Sequence, residues 1–461
     1  MLPITGYVDR WSVRPGEDLS FMISVRGGGR YSARVGRVLC GDPNPQGPGY
    51  RELPQPWVLE GEHEGVEQLI AKGSWIDVPK LDLGTTAAPI AFAATIWPTR
   101  IEAGAQSVLS WAGEGAALTL GIARRGAFCR LVTSAGTVEL DAGTPLTERA
   151  WHDIACLFDP GTGELHIGQA PRKPRLDRDE RCRRSVAAAA VRLGGMGTAA
   201  IAAERAGSSV AGHFNGKIER PRVLAGKAGL QAVLDAQASG AAPPPGELVA
   251  EWDFSRDIPT DVATDIGPGG QHGRCVNLPT RAMTGSRWSG KAHRWTEAPA
   301  DWGAIHFHAD DIGDAGWAPS LRFEVPQSWR SGVYALHLEK DGARDNIVFY
   351  VRAAVPGSQA KVAFLAPTFT YTVYGQYQKP GRQALITERS LAWGAVAQAP
   401  DGHPEYGVSP YNYHSDGSGV VMSTMRRPLI DKRVNQIHLV DPSPAAPASI
   451  GCRPTATSPT S

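Results

Sequence analysis

The sequence predicts a mainly β protein of several domains, and three observations carry that prediction. Apolar residues alternate with polar or small ones in short runs, as in Leu19, Phe21, Ile23 and Val25 or Ile90, Phe92, Ala94 and Ile96. This period of two marks half-buried strands. Turn sequences such as Arg14-Pro15-Gly16-Glu17 and Pro160-Gly161-Thr162-Gly163 punctuate the runs, where Pro and Gly supply the backbone angles a reversal needs. Gly (53) and Pro (36) are plentiful and long helical patterns are few, which favours sheet over bundle. A chain of 461 residues has room for two to four domains.

Residues 1–87 open with the strands around Tyr7-Val8, Trp11-Ser12-Val13 and Leu19 to Val25. Residues 299–357 supply matching ones: Leu321-Arg322-Phe323-Glu324-Val325, Gly332 to Leu338 and Ile347 to Val351, the last two joined by a charged hairpin with Glu339-Lys340-Asp341-Gly342. The two parts read as one immunoglobulin-like sandwich interrupted by an insertion. The insertion, 88–298, carries Ser107 to Trp111, alternating Leu118, Leu120 and Ile122, and the hairpin Trp151 to Ile167, whose turn follows Phe158-Asp159. With its late strand Asn215-Gly216-Lys217-Ile218, this series resembles the laminin-G/concanavalin-like jelly roll. A helix is expected at about 226–238, where Leu230, Val233 and Leu234 fall at helical spacing. Trp97, Trp111, Trp151 and Trp252 are expected in the core rather than on a sugar platform.

From 358 the texture changes. Val362-Ala363-Phe364-Leu365-Ala366 is apolar without alternation, the mark of a strand buried on both faces of a parallel sheet. A short helix is expected at 383–393. Residues 358–432 therefore read as the start of an α/β domain, incomplete because such a domain needs roughly 100 residues or more. Residues 433–461, rich in Pro, Ser, Thr and Ala, are expected to be a disordered or frameshifted tail.

A net charge of +1 gives no field to recruit nucleic acid or an anionic membrane. No apolar run is long enough to span a bilayer, and the N-terminus shows no basic region followed by an apolar run. The six cysteines are scattered without a Cys-x-x-Cys pair, so reduced thiols and a cytoplasmic location are expected.

Chemistry concentrates late in the chain. Tyr371 and Tyr374 follow the apolar run, and Tyr411-Asn412-Tyr413-His414-Ser415-Asp416 precedes a Gly-Ser-Gly turn. Phenolate is a hard oxygen ligand that suits ferric iron; half-buried sheet aromatics are the structural alternative. Ser415 or Ser418 as a nucleophile lacks a Gly-x-Ser-x-Gly elbow. His403-Pro404-Glu405-Tyr406 reads as a loop with a solvated carboxylate. His306 and His308 would share a strand face at a solvated strand end.

These late motifs carry a resemblance. Val362-Ala363-Phe364-Leu365 with Pro367-Thr368-Phe369-Thr370-Tyr371, then Gly407 to Val420 and Arg426-Arg427-Pro428, resemble the large subunit of N,N-dimethylformamidase. Val333-Tyr334-Ala335 and Ala282-Met283-Thr284-Gly285 fit the same family, and the resemblance extends over residues 1–432. It implies hydrolysis of a small amide to formate and an amine at a mononuclear ferric iron held by two tyrosines and a glutamate, with a histidine near that glutamate. It also implies a small accessory subunit and a higher oligomer. Carried over, Tyr371 and Tyr411 become the iron phenolates, with Tyr374 and Tyr413 as alternatives. His414 and Asp416 would support them from behind. The glutamate has no counterpart here, since Glu405 precedes Tyr411, so the chain is expected to be truncated and its activity impaired. A non-catalytic carbohydrate- or protein-binding module is the alternative.

Overall fold

The computed structural model describes residues 1–84, 88–174, 176–188, 191–207, 209–244, 246–355, 361–379 and 383–437. They form two compact units: Met1–Ala71 with the described residues from Ile312 onward, and Lys72–Asp311. The strand Trp75–Asp82 thus belongs to the inserted unit.

In the first unit, strands Ile4–Val8, Asp18–Val25 and Leu321–Glu324 form one antiparallel sheet. A second sheet runs Ser12–Val13, Ala343–Val351, Gly332–Lys340, Gly29–Cys40 and Arg51–Gln55. The alternation expected around Leu19 holds: Leu19, Phe21, Ile23 and Val25 face a core shared with Tyr334, Leu336 and Phe349 of the second sheet. Pro15 and Gly16 (φ 84°) occupy the central positions of the first turn, closed by Glu17 N–H donating to Arg14 O at 3.0 Å. Asp341 and Gly342 both take positive φ, so the hairpin between Gly332–Lys340 and Ala343–Val351 turns in the sense that matches strand twist. Tyr334 Oη donates to Arg330 O at 2.6 Å and its ring lies flat on Trp329, with centroids 4.8 Å apart. This tyrosine corner suits an immunoglobulin-like sandwich.

The inserted unit is a sandwich of two eight-stranded sheets. Their inner faces supply Phe92, Ala94 and Ile96 from one side and Leu118, Leu120 and Ile122 from the other. In the expected hairpin, Asp159 pairs with Glu164 across the turn, and the Asp159 carboxylate accepts from Gly161 N–H at 2.8 Å. Helix Leu230–Ser239 buries Val233 and Leu234. It packs over Gly168, where a Cβ would come within 2.8 Å of the Leu234 side chain and push it aside.

The expected parallel-sheet strand does not form. Val362 to Ala366 pair with no strand among the described residues, and Val362 and Leu365 are 85% and 91% exposed. A strand buried on both faces requires neighbours on both edges and layers on both sides, and the described residues provide none. Among the described residues, helices Thr368–Tyr374 and Gln383–Ala392 and two short 3-10 turns follow, with a parallel bridge between Val396 and Gln436.

Residues 433–437, placed in the expected tail, are packed within the first unit. Arg433 makes a two-pronged ion pair with buried Asp345, at 2.8 and 3.0 Å, and also donates to Gly6 O. Val434 pairs through both backbone groups with the Asn346 side chain and packs on Val38, Val333 and Val348. Residues 438–461 lie outside the described residues. Among the described residues five cysteines are free, three of them buried, and no helix is long and apolar enough to cross a membrane.

Candidate functional site

Helix Thr368–Tyr374 sets Tyr371 and Tyr374 three residues apart, on one face. Its last carbonyls, which have no partner within a helix, are met by serines: Ser423 Oγ donates to Thr372 O at 2.8 Å and Ser409 Oγ to Val373 O at 2.7 Å. Gln376 then turns the chain at φ 64°. Its N–H donates to Asp431 Oδ1 at 2.9 Å, while its Oε1 accepts from Ile430 N–H at 2.8 Å.

The second tyrosine segment is tied to the first. Ser409 Oγ also accepts from Tyr411 N–H. The Asn412 amide pairs with both backbone groups of Gln378, at 3.0 and 3.2 Å. Beneath this loop the buried Arg427 guanidinium donates to Tyr406 O and Val408 O, both at 2.9 Å. Burial pulls the Arg427 pKa down to about 10, so it remains charged at neutral pH.

These ties gather Tyr371, Tyr374, Tyr377 and Tyr411 around one cavity of about 570 Å³. The Tyr374 and Tyr411 rings stack, with centroids 4.5 Å apart, and their hydroxyls hydrogen-bond. That bond, together with the nearby Tyr411 charge, raises the Tyr374 pKa. Tyr371 is buried, with its ring edge-on to Trp11. The cavity also holds charges that the sequence reading did not single out. Asp401 accepts from Lys379 N–H at 2.5 Å, and Asp431 is paired with Lys432 at 3.0 Å; all four line the cavity. No local pattern marks Asp431 in Leu429-Ile430-Asp431-Lys432. Its place at the cavity is fixed by the Gln376 N–H that it accepts.

The neighbours of Tyr411 go elsewhere. Tyr413 is 71% exposed, bridges to Gly419 and is not a cavity wall. His414 and Asp416 are buried and are not cavity walls. Asp416 Oδ1 accepts from Ser418 N–H and Oγ–H at 2.8 and 2.6 Å. The Ser418 hydroxyl thus donates to the carboxylate that closes the turn.

Glu405 is not a cavity wall either. It bonds to His403 Nδ1 at 2.9 Å and lies 3.0 Å from the Met1 amine. Burial alone would raise its pKa, but hydrogen bonds from His403, its own backbone and that amine hold it below the usual carboxylate value. The loop carboxylate is therefore paired, where a solvated one was expected.

In the inserted unit, His306 and His308 do share a strand face, with rings 4.1 Å apart. Both are buried, against the expectation of a solvated strand end. Asp311 lies 3.2 Å from His308 Nδ1 and accepts from Ser74 Oγ at 2.6 Å. Trp111 and Trp252 are core residues as expected. Trp97 and Trp151 are only partly buried and take the Lys217 ammonium on their faces, at 4.8 and 6.0 Å. Burial lowers the Lys217 pKa, and the two rings offset the lost hydration of its charge.

Comparison with known proteins gives matches of one kind over most of the chain. The family model described as N,N-dimethylformamidase beta subunit-like, C-terminal, matches residues 280–443. The N,N-dimethylformamidase beta subunit of Paracoccus aminophilus is 29% identical over 472 residues, 93% of this chain and 60% of the relative. That of an Alcaligenes species is 28% identical, over 94% of this chain and 60% of the relative. The chain thus spans about 60% of the length of the curated relatives it matches. Among solved structures, a SAP-like pentraxin from Limulus polyphemus aligns at TM-score 0.28 and 10% identity, over 45% of this chain and 82% of the pentraxin. Domains LG4-5 of the mouse laminin alpha1 chain align at TM-score 0.22 and 12% identity, over 38% and 47%. The chain is thus similar to N,N-dimethylformamidase beta subunits over most of its length, and residues 280–443 match the model of that family's C-terminal part.

Proposed function

We propose that the tyrosine-lined cavity is the catalytic centre of an amide hydrolase acting on the C–N bond of formamides, with Tyr371 and Tyr411 as ligands to a ferric ion. The observation that carries this reading is convergence: two tyrosines from separate segments line one cavity, and Asp431 adds a carboxylate to its wall. Phenolate and carboxylate oxygens are hard donors, which fit ferric iron. Bound there, the ion would supply Lewis acidity toward a carbonyl oxygen.

The chain's own residues would do the rest. Tyr374, hydrogen-bonded to Tyr411 and stacked on it, would fix that ring's orientation. Asp401 and Asp431 are carboxylates able to accept a proton from the attacking water. In the overall reaction the water's hydroxyl adds to the formyl carbon, the C–N bond breaks, and the amine leaves with a proton; the products are formate and amine. His414 and Asp416 would act indirectly, by shaping the turn that follows Tyr411. The relatives are named beta subunits, which supports a second, accessory subunit and a higher oligomer here. The alternative of a binding module in the inserted unit has less support, because Trp97 and Trp151 already hold Lys217.

The test is iron content and visible absorption after reconstitution with iron. A broad phenolate-to-ferric band, reduced in Tyr371→Phe and in Tyr411→Phe, is expected. Absence of both iron and band in the unmodified protein would overturn the reading.

A further inference from the structure

The same cavity bears on which amides it accepts, an inference that rests on the hydrolase reading above. A dialkylformamide has the bulk of only a few waters, each with a share of ~30 Å³ in the liquid. The cavity measures about 570 Å³, within the range of roughly 300–1,000 Å³ that buries much larger ligands. Its wall is aromatic. Tyr377 stands 6.3 and 6.0 Å from the stacked Tyr374 and Tyr411 rings. Although they pair with each other, Tyr374 and Tyr411 remain 41% and 54% exposed. Aromatic surface left open in a cavity wall is surface available to a ligand. Ile386 and Ile437 extend the apolar lining.

We propose that this cavity takes formamides with a flat aromatic N-substituent, whose ring packs on the wall made by Tyr374, Tyr377 and Tyr411. The charged side chains Lys379, Asp401, Asp431 and Lys432 share the lining and can orient the amide end of a ligand while the rings bury the other. Formanilide is the simplest molecule of this class, and N,N-dimethylformamide is its small counterpart.

Both compounds can be titrated into the iron-free protein and followed by ligand-observed NMR, so that binding is read without turnover. Formanilide is expected to bind about tenfold more tightly, since a phenyl ring buries more apolar surface and gains ring contacts. Tyr377→Leu keeps apolar bulk but removes a ring, and should weaken formanilide several-fold more than N,N-dimethylformamide; a near-ultraviolet spectrum and a melting curve establish that the variant is folded. Equal affinity for the two compounds, or a folded Tyr377→Leu that binds formanilide as the parent does, overturns the proposal. Iron bound with no preference between them sinks this inference alone. A formanilide preference in a protein that never binds iron sinks the hydrolase reading and leaves the aromatic site standing.

Discussion

The inserted unit and the segment 361–437 bury their residues by opposite means. The insertion closes two sheets on a continuous apolar core that includes Phe92, Leu120, Phe158 and Trp252. The late segment has few regular elements. It is held by buried polar ties: Arg433 to Asp345, Val434 to Asn346, Gln376 to Asp431 and Arg427 to the Tyr406 and Val408 carbonyls. Apolar burial is non-directional and tolerates small shifts. A buried charge needs its partner in place, because an unpaired one in a low dielectric is costly. The lesson is that the candidate site stands on the less forgiving of the two regions.

The largest expected effect breaks the polar side of that contrast. Arg433→Met leaves the Asp345 carboxylate buried without its counter-ion, which should cost about 3–5 kcal/mol. Region-resolved hydrogen exchange should show faster exchange across 361–437 and in strand Ile4–Val8, with Lys72–Asp311 unchanged. Uniform loosening of both units would contradict the separation. Phe158→Ala is the converse. It empties ring volume from the insertion's core and should cost ~3–4 kcal/mol, lowering protection there while Tyr371 and Tyr411 keep their environment.

A smaller effect sharpens the comparison at the site itself. Arg427→Met removes the donors to two buried carbonyls, with a loss of about 1–3 kcal/mol. The Tyr411 loop should become protease-sensitive before either sandwich does, which limited digestion and mass mapping can follow. Equal sensitivity everywhere would mean that Arg427 is not what holds the loop.

The smallest effect lies on the outer sheet of the sandwich. Burial would raise the Glu52 pKa, yet hydrogen bonds from His337 and Tyr50, with Arg34 nearby, hold it at about 2 against an ordinary 4.5. A carboxyl depressed on folding adds stability that is complete above its unfolded pKa and fades as pH falls through its folded one. Melting temperature should therefore decline between pH 4.5 and 2, and Glu52→Gln should flatten that slope. The cluster is partly solvated, so the change should be slight.

Legibility followed the same divide. The runs from Leu19 to Val25 and from Ile90 to Ile96, the Pro15-Gly16 and Asp341-Gly342 turns, and the helix near 230 could be read because period and turn chemistry are local. The Val362–Ala366 run misled for the same reason: local composition said buried strand, but burial requires neighbours, and none pairs with it among the described residues. The tyrosines stood out by type, whereas Asp401, Asp431, Lys379 and Tyr377 did not, since nothing in their spacing foretells a shared cavity.

By itself, then, the sequence determined the two β units, most of their strands and the tyrosine segments, because strand period and turn propensity act over a few residues. Only the tertiary structure decided which tyrosines share a cavity, that His414 and Asp416 are not among its walls, and that Arg433 is buried on Asp345. Those outcomes depend on polar contacts between residues far apart in the chain, which form only once the sandwich is there to receive them.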